Sequence, residues 1–297
     1  MLRYDTASAI EQGTRVYQED SLLCDFRQGC PVGFAVVADG MGGHAAGDIA
    51  SRIATDTAFE LLRPLRSATH DVASTPGHLR EMLEKANGKI RDHSVADEST
   101  NGMGTTFVAI VIEGDLLHWI SVGDSPLYLY RSGVLRQVNE DHSLAPQIDL
   151  LVTSGLMSLS DGRDHPDRNV LTSVLVGRDI PKVDCPSVPL GLLPGDVLVI
   201  ASDGVQSLDH AKIESAMREC QNESSSVIAS RLLGELRALN DPDQDNASFV
   251  VVRIEKDLPF KRKDSSRRPK VKEASSSVVT FLKSHFYFKQ RLPSSAR

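Results

Sequence analysis

The chain has 297 residues, is 40% hydrophobic and carries a formal net charge of −7. That charge is split: residues 258–297 hold 11 Lys/Arg against 2 Asp/Glu, leaving 22 basic against 38 acidic residues in 1–257. An acidic body of this size buries one large core, excludes nucleic acid as its main partner and suits a protein that collects cations.

Taken in chain order, the start MLRYDTASAIEQG lacks the apolar stretch of a secretory signal, and no run reaches the roughly 18 apolar residues of a membrane span. Phe34–Ala38 is a short, continuous apolar run of the kind found in strands buried on both faces. Helical spacing follows in 45–62, with Ile49, Ile53, Ala54, Thr57, Ala58, Leu61 and Leu62 on one face, and again in Leu79–Ile90. Thr105–Ile112, Leu116–Val122, Leu127–Tyr130 and Val134–Val138 are strand-like and joined by tight turns, including Glu113-Gly114-Asp115 and Ser132-Gly133, which predicts antiparallel meanders. Between Asp141 and Val170 the chain is polar, with one amphipathic piece at Leu144–Leu156, and a connection this long predicts a flap over a site. Strands at Val197–Ala201 and Phe249–Ile254 bracket a second helix pair, Ala211–Cys220 and Val227–Leu239. The pattern predicts an α+β fold in four layers, two antiparallel sheets with helix pairs on their outer faces.

The domain reading is a single globular unit over 1–257, with its flap at about 141–170, and a basic tail over 258–297 too charged to fold alone. The tail ends in an apolar-aromatic patch, Val278 to Phe288, and its expected partners are an anionic membrane surface, an acidic protein or the acidic body itself. Cys24, Cys30, Cys185 and Cys220 form neither a C-x-x-C pair nor a zinc spacing, which points to a reducing cytoplasm.

Glu19, Asp20, Asp39, Asp203 and Asp245 each stand beside a strand-like run or a tight turn. A carboxylate at an apolar strand end is costly to desolvate unless a cation or donors take up its charge. One such aspartate is an ordinary turn; three, joined by Glu19-Asp20, point to a shared site. The glycines after Asp39 let the backbone bend so that a carbonyl such as that of Gly40 can reach an ion. Every candidate ligand is an oxygen donor, which selects Mg²⁺ or Mn²⁺ over zinc, and two such ions activate water for phosphoester hydrolysis. Arg15, four residues before Glu19, offers a planar fork to a phosphate.

Several other readings fall on spacing. The segment from Asp241 begins like a calcium loop but has Asn246 at its sixth position and Val252 at its twelfth. No cysteine is followed by arginine at the spacing of a cysteine-nucleophile phosphatase, and there is neither a P-loop nor H-E-x-x-H. His44, His142 and His165 read as packing or flap residues, and Asp141-His142-Ser143 are too close in sequence for a triad.

Arg15-x-x-x-Glu19-Asp20, Val37-Ala38-Asp39-Gly40-Met41-Gly42-Gly43-His44, Met103-Gly104-Thr105-Thr106, Gly123-Asp124-Ser125, Asp141-His142-Ser143, Asn169-Val170-Leu171-Thr172, Ser202-Asp203-Gly204 and Asp245-Asn246 together resemble, in order, the metal-dependent PP2C (PPM) protein phosphatases of the bacterial branch. The resemblance implies a binuclear Mn²⁺ or Mg²⁺ enzyme that dephosphorylates phosphoserine and phosphothreonine in proteins, the products of a Ser/Thr kinase. It implies that Asp39 bridges both ions, that Asp203 and Asp245 complete one site, and that Glu19 and the Gly40 carbonyl form the other. By the same resemblance Asp20 holds metal-bound water, Arg15 grips the phosphate and Asp124 helps bind a third ion. Gln18, Pro126 and Met41 depart from the family pattern, and Met41 leaves the proton donor to the leaving alcohol unassigned, with a metal-bound water in that role. Ser207 stands where another carboxylate is usual, so the third site is expected to be weak. The competing expectation, a phosphoprotein-binding module without turnover, predicts a lost core carboxylate, and none is missing.

Overall fold

The computed structural model describes residues 2–30, 32–42, 46–66 and 71–256. The basic tail with its Val278 to Phe288 patch, together with Gly43 and His44, lies outside the described residues.

Two five-stranded antiparallel sheets face each other. One runs β1 (Leu2–Glu11), β12 (Ala247–Lys256), β11 (Val197–Ala201), β8 (Leu127–Arg131), β9 (Val134–Gln137); the other runs β10 (Leu190–Gly191), β7 (Leu116–Val122), β6 (Phe107–Glu113), β3 (Val32–Ala38), β2 (Ser21–Asp25). A two-stranded ribbon pairs β4 (Gly40–Met41) with β5 (Gly104–Thr105). Helices α1 (Ala46–Leu62) and α2 (Thr75–Ala96) cover the β3 sheet, and α5 (His210–Glu219) and α6 (Ser225–Leu239) cover the β12 sheet. The four layers are those expected.

The continuous apolar runs follow from burial on both strand faces. In β3, Phe34, Val36 and Ala38 pack under α1 and α2, while Ala35 and Val37 face the opposing sheet. In β11, Val199 and Ala201 meet α5 and α6, and Leu198 and Ile200 fill the space between the sheets. With period-two alternation feeding two apolar layers, no polar face is left for an amphipathic pattern to mark.

The structure corrects three details. The stretch 105–138 is not one meander: β6–β7 and β8–β9 are hairpins, but Gly123 to Pro126 carries the chain from one sheet to the other. The buried face of α1 is built from Ala50, Ala54, Ala58 and Leu62, with Ile49, Ile53 and Leu61 only partly buried at its margin. Small side chains bring this helix close to the sheet, and the larger ones cover its flanks. β1, absent from the sequence reading, pairs with β12 along its whole length, from Leu2 opposite Lys256 to Glu11 opposite Ala247. Its residues are largely half-buried, so it lacks the apolar density that marks the interior strands.

Residues 141–170 hold two short helices, α3 (Ala145–Thr153) and α4 (Leu159–Arg163). Their base is tied down by a bridge between Ser143 and Leu171 and by His142 N–H donating to Gly123 O at 3.0 Å. All four cysteines are free thiols.

Candidate metal centre

Strand register alone gathers the predicted carboxylates at one pole of the sandwich. Ser21 pairs with Ala38, so the next residues outward, Asp20 and Asp39, leave β2 and β3 side by side. Ala201 pairs with Phe249, which brings Ser202-Asp203 against the residues preceding β12, Asp245-Asn246. Pro126 O accepts from Ala201 N at 3.0 Å, placing the sheet crossover with Asp124 beside Asp203. Glu11 pairs with Ala247, so the loop after β1, with Arg15, folds over the same end.

Backbone and hydroxyl contacts then fix each group. Asp39 N–H donates to Thr106 Oγ1 at 3.1 Å, and Asp39 O accepts from Thr106 N at 2.9 Å and Thr105 Oγ1 at 2.8 Å. Glu19 N–H donates to Asn246 Oδ1 at 2.8 Å, while Glu19 O accepts from Ser51 Oγ at 2.6 Å and Gly40 N at 3.2 Å. Gly40 is required here, because a Cβ would lie 2.2 Å from Gly47 O and 2.5 Å from Glu19 O. Asp20, 8% exposed, accepts from Ser202 Oγ at 2.8 Å through Oδ2, and Ser202 Oγ in turn accepts from Ser248 N at 2.9 Å.

The electrostatics are those of acids crowded out of water. Burial raises Asp39 well above the usual carboxylate range, and the neighbouring charges of Asp20, Asp203 and Asp124 push the same way. Asp203 is raised by burial first, with the charge of Asp245 pushing the same way and a hydrogen bond to the Asp39 carboxylate drawing it back, while that same bond raises Asp39 further. Burial pushes Asp20 up to about 6, against the pull of Ser202 and Ser248, and pushes Asp124 up to about 7, helped by Asp203 and Asp141. Glu19 is raised by burial and drawn back by the Gly47 N–H at the start of α1.

Among the described residues, no group of three or more His, Cys, Asp or Glu side chains is gathered closely enough to hold a metal ion as it stands. Three observations nevertheless fit this donor set to hard divalent cations. Asp20 Oδ1 is buried with no hydrogen-bond partner. The carboxyls of Asp20, Asp39, Asp124 and Asp203 are raised by burial and then by neighbouring acidic charge, both of which a cation offsets. The donors are all oxygen, the ligand chemistry of Mg²⁺ and Mn²⁺.

Arg15 reaches the cluster directly, its guanidinium forming an ion pair with the Asp245 carboxylate. Near Asp124, the Gln206 amide donates to Asp124 O at 3.1 Å, and the Gln244 amide donates to Ser207 Oγ at 3.3 Å. His142 is buried, burial lowers its pKa, and Nδ1 accepts from Gly123 N at 3.3 Å. It is a packing residue, as is expected for that position. His165 Nδ1 accepts from Asp167 N at 3.2 Å within its own turn. Asp141 likewise caps a local turn, its Oδ1 accepting from Ser143 N at 2.8 Å, so no triad forms.

Sequence reasoning assigned no role to the supporting shell of Ser202, Ser248, Thr105, Thr106, Gly47 and Ser51. Ser202 and the two threonines stand inside recognisable motifs, whereas Ser248, one polar residue in an apolar strand, and Gly47, a glycine in the first turn of a helix, were the available signals.

The sequence profile described as protein phosphatase 2C matches residues 7–237. Asp245 lies beyond that span, and its membership of the cluster rests on register and its pairing with Arg15. A serine/threonine phosphatase stp of Listeria monocytogenes is 32% identical over 231 residues, 78% of this chain and 87% of the relative. The crystal structure of the Mycobacterium tuberculosis serine/threonine phosphatase PstP/Ppp superimposes with a TM-score of 0.70 at 28% identity, over 86% of this chain and 99% of that one. A structure of the PstP catalytic domain in complex with two manganese ions gives a TM-score of 0.70 at 25% identity, over 86% and 100%. With sheet order, carboxylate cluster and sequence profile in agreement over most of its length, the chain belongs to the protein phosphatase 2C family.

Proposed function

We infer that this chain is a metal-dependent protein phosphatase that hydrolyses phosphoserine and phosphothreonine in phosphorylated proteins. The observation that carries the reading is the convergence of Asp39, Asp203, Asp245, Glu19 and Asp20 on one pole through strand register, with the Asp39 and Asp203 carboxylates hydrogen-bonded to each other and a buried Asp20 oxygen left without a partner.

Asp39 would be shared by two Mn²⁺ or Mg²⁺ ions, Asp203 and Asp245 would complete one site, and Glu19 with the Gly40 carbonyl would hold the other. When bound, the ions lower the pKa of water towards neutrality and offset the charge of the phosphate. Asp20, held by Ser202, orients water through its second oxygen. Arg15, more than half exposed, swings its fork between Asp245 and a substrate phosphate, which keeps one guanidinium within reach of both. Asp124 would contribute to a third, weaker site, since the neutral Ser207 adds no charge beside it. His142, buried and with its pKa lowered by burial, is poorly suited to protonating a leaving alcohol.

The catalytic unit is read as residues 1–257 with a flap at 141–170, and the substrates as products of a Ser/Thr kinase. Cytoplasmic placement is supported by the free thiols; among the described residues no helix is long and apolar enough to cross a membrane. The basic tail is read as a contact for an acidic partner or an anionic membrane surface.

The test is hydrolysis of p-nitrophenyl phosphate and a phosphothreonine peptide across a Mn²⁺ titration, with EDTA as control. Activity is expected to follow Mn²⁺, and Asp39→Asn or Asp203→Asn to lower turnover roughly a hundredfold or more, as losing several kcal/mol of charge stabilisation requires. Wild-type turnover by either variant at saturating Mn²⁺, or undiminished activity in EDTA, overturns the assignment.

A further inference from the structure

The loop between β1 and Glu19 combines two properties that rarely go together. Residues 12–17 are all exposed, yet the backbone is pinned at nearly every position. The Gln12 amide donates to Arg15 O at 2.8 Å and Val16 O at 3.0 Å. The Asn246 amide donates to Gln12 O at 2.8 Å and Tyr17 O at 3.1 Å. Thr14 donates to Gln244 O from both N, at 2.9 Å, and Oγ1, at 3.1 Å. Gly13 has φ +63°, and a Cβ there would lie 2.4 Å from both Gln244 O and Asp245 O. An exposed loop with its backbone held this firmly presents its side chains from fixed points of attachment, the arrangement of a recognition element.

Three consecutive side chains are presented: Arg15, paired with Asp245, then Val16 at 80% and Tyr17 at 58% exposure. Met41, 39% exposed, follows Gly40 on the other side of Glu19. Scattered exposed apolar residues are ordinary. Here Val16 and Tyr17 are consecutive, stand on a pinned backbone and follow the arginine proposed to grip the phosphate. Consecutive Cα atoms lie about 3.8 Å apart, so a phosphoresidue held at Arg15 brings its immediate neighbours onto Val16 and Tyr17. A tyrosine ring supplies a large, stiff, amphipathic contact at small entropic cost. The surrounding carboxylates disfavour acidic neighbours in the substrate.

We propose that Val16 and Tyr17 are specificity-determining residues that select phosphoproteins with an apolar residue beside the phosphorylated serine or threonine. The proposal rests on the phosphatase reading and names its substrate class. The experiment measures kcat/KM at fixed Mn²⁺ for three phosphothreonine peptides of equal length, flanked on both sides by Leu, Gly or Glu. The wild-type protein is expected to favour the Leu peptide over the Gly peptide by about tenfold, the low end for one apolar contact, with the Glu peptide poorest. Tyr17→Ala and Val16→Ala are expected to reduce the Leu-to-Gly ratio to below about threefold, the loss appearing in KM for the Leu peptide. Equal use of Leu and Gly peptides by the wild type, preference for Glu, or equal loss on both peptides in both variants overturns the proposal. Inertness towards all three peptides and p-nitrophenyl phosphate in Mn²⁺ overturns instead the phosphatase reading beneath it.

Discussion

Replacing Gly47 by alanine sets helix propensity against the geometry of the metal centre. Gly47 lies in the first turn of α1, where alanine would by propensity add about 0.5–1 kcal/mol of stability. Its Cβ, however, would stand 2.6 Å from Glu19 Oε1 and 2.8 Å from the Gly40 carbonyl carbon. The carboxylate can turn away, but the Gly40 backbone is held by Glu19 O and by pairing with Thr105, so it cannot follow. Overpacking of this kind costs roughly 1–3 kcal/mol, and the lost bond from Gly47 N–H to the Glu19 carboxylate a further 1.5 kcal/mol or so. The net expectation is a loss of about 3 kcal/mol, or a Tm lower by about 6–12 °C in a protein of this size. Mn²⁺ affinity should fall about tenfold, because the Glu19 carboxylate of the proposed site is turned away while the Gly40 carbonyl beside it stays in place. Thermal unfolding with and without Mn²⁺, together with calorimetric Mn²⁺ titration, reads both quantities. A variant more stable than wild type with unaltered Mn²⁺ affinity would refute the reasoning.

Arg15→Ala should lower kcat/KM for phosphopeptides by about tenfold to a hundredfold, the worth of a charge-assisted bond, and Arg15→Lys should recover only part of it because an ammonium lacks the planar fork; steady-state kinetics of both variants check this. Ser202→Ala removes the donor to Asp20 and the acceptor of Ser248 N in a buried setting, so urea unfolding should show a loss of about 1–3 kcal/mol. In EDTA, stability should be highest near pH 4 and fall as pH rises towards 7, since Asp20 and Asp124, held at about 6 and about 7, keep protons that the unfolded chain has released. Saturating Mn²⁺ should flatten that slope, and Tm measured from pH 4 to 7.5 with and without the ion decides; a rise of stability with pH in EDTA would contradict the shifts.

The central strands were legible in the sequence because burial on both faces leaves uninterrupted apolar runs, as in Phe34–Ala38 and Val197–Ala201. Leu116–Val122 and Val197–Ala201 have the predicted bounds. β1 was not legible, because a half-buried edge strand carries Tyr4, Thr6, Ser8 and Ile10 without apolar density, and only its pairing with β12 makes it a strand. The crossover at Gly123 to Pro126 looked like a hairpin turn for a related reason: a turn between two strands reads the same whether or not they share a sheet. On α1, Ala54, Thr57, Ala58 and Leu62 lie on the core face as read from spacing, but Ile49, Ile53 and Leu61 fall at its margin and Ala50 packs in the middle, which is a matter of how closely two backbones approach.

Strand pattern and motif order by themselves determined the layers and pointed to oxygen-donor chemistry and to the acids proposed for the site, because each carboxylate sits at an apolar strand end or tight turn where its charge must be compensated. What they leave open is distance. Register brings Asp20 beside Asp39 and Asp203 beside Asp245, and Arg15 meets Asp245 across 230 residues of chain; that ion pair, the Asp39–Asp203 hydrogen bond and the unpartnered Asp20 oxygen exist only once those strands have paired. Burial and proximity are properties of the assembled sheets, and it is these that turn five ordinary acids into one site.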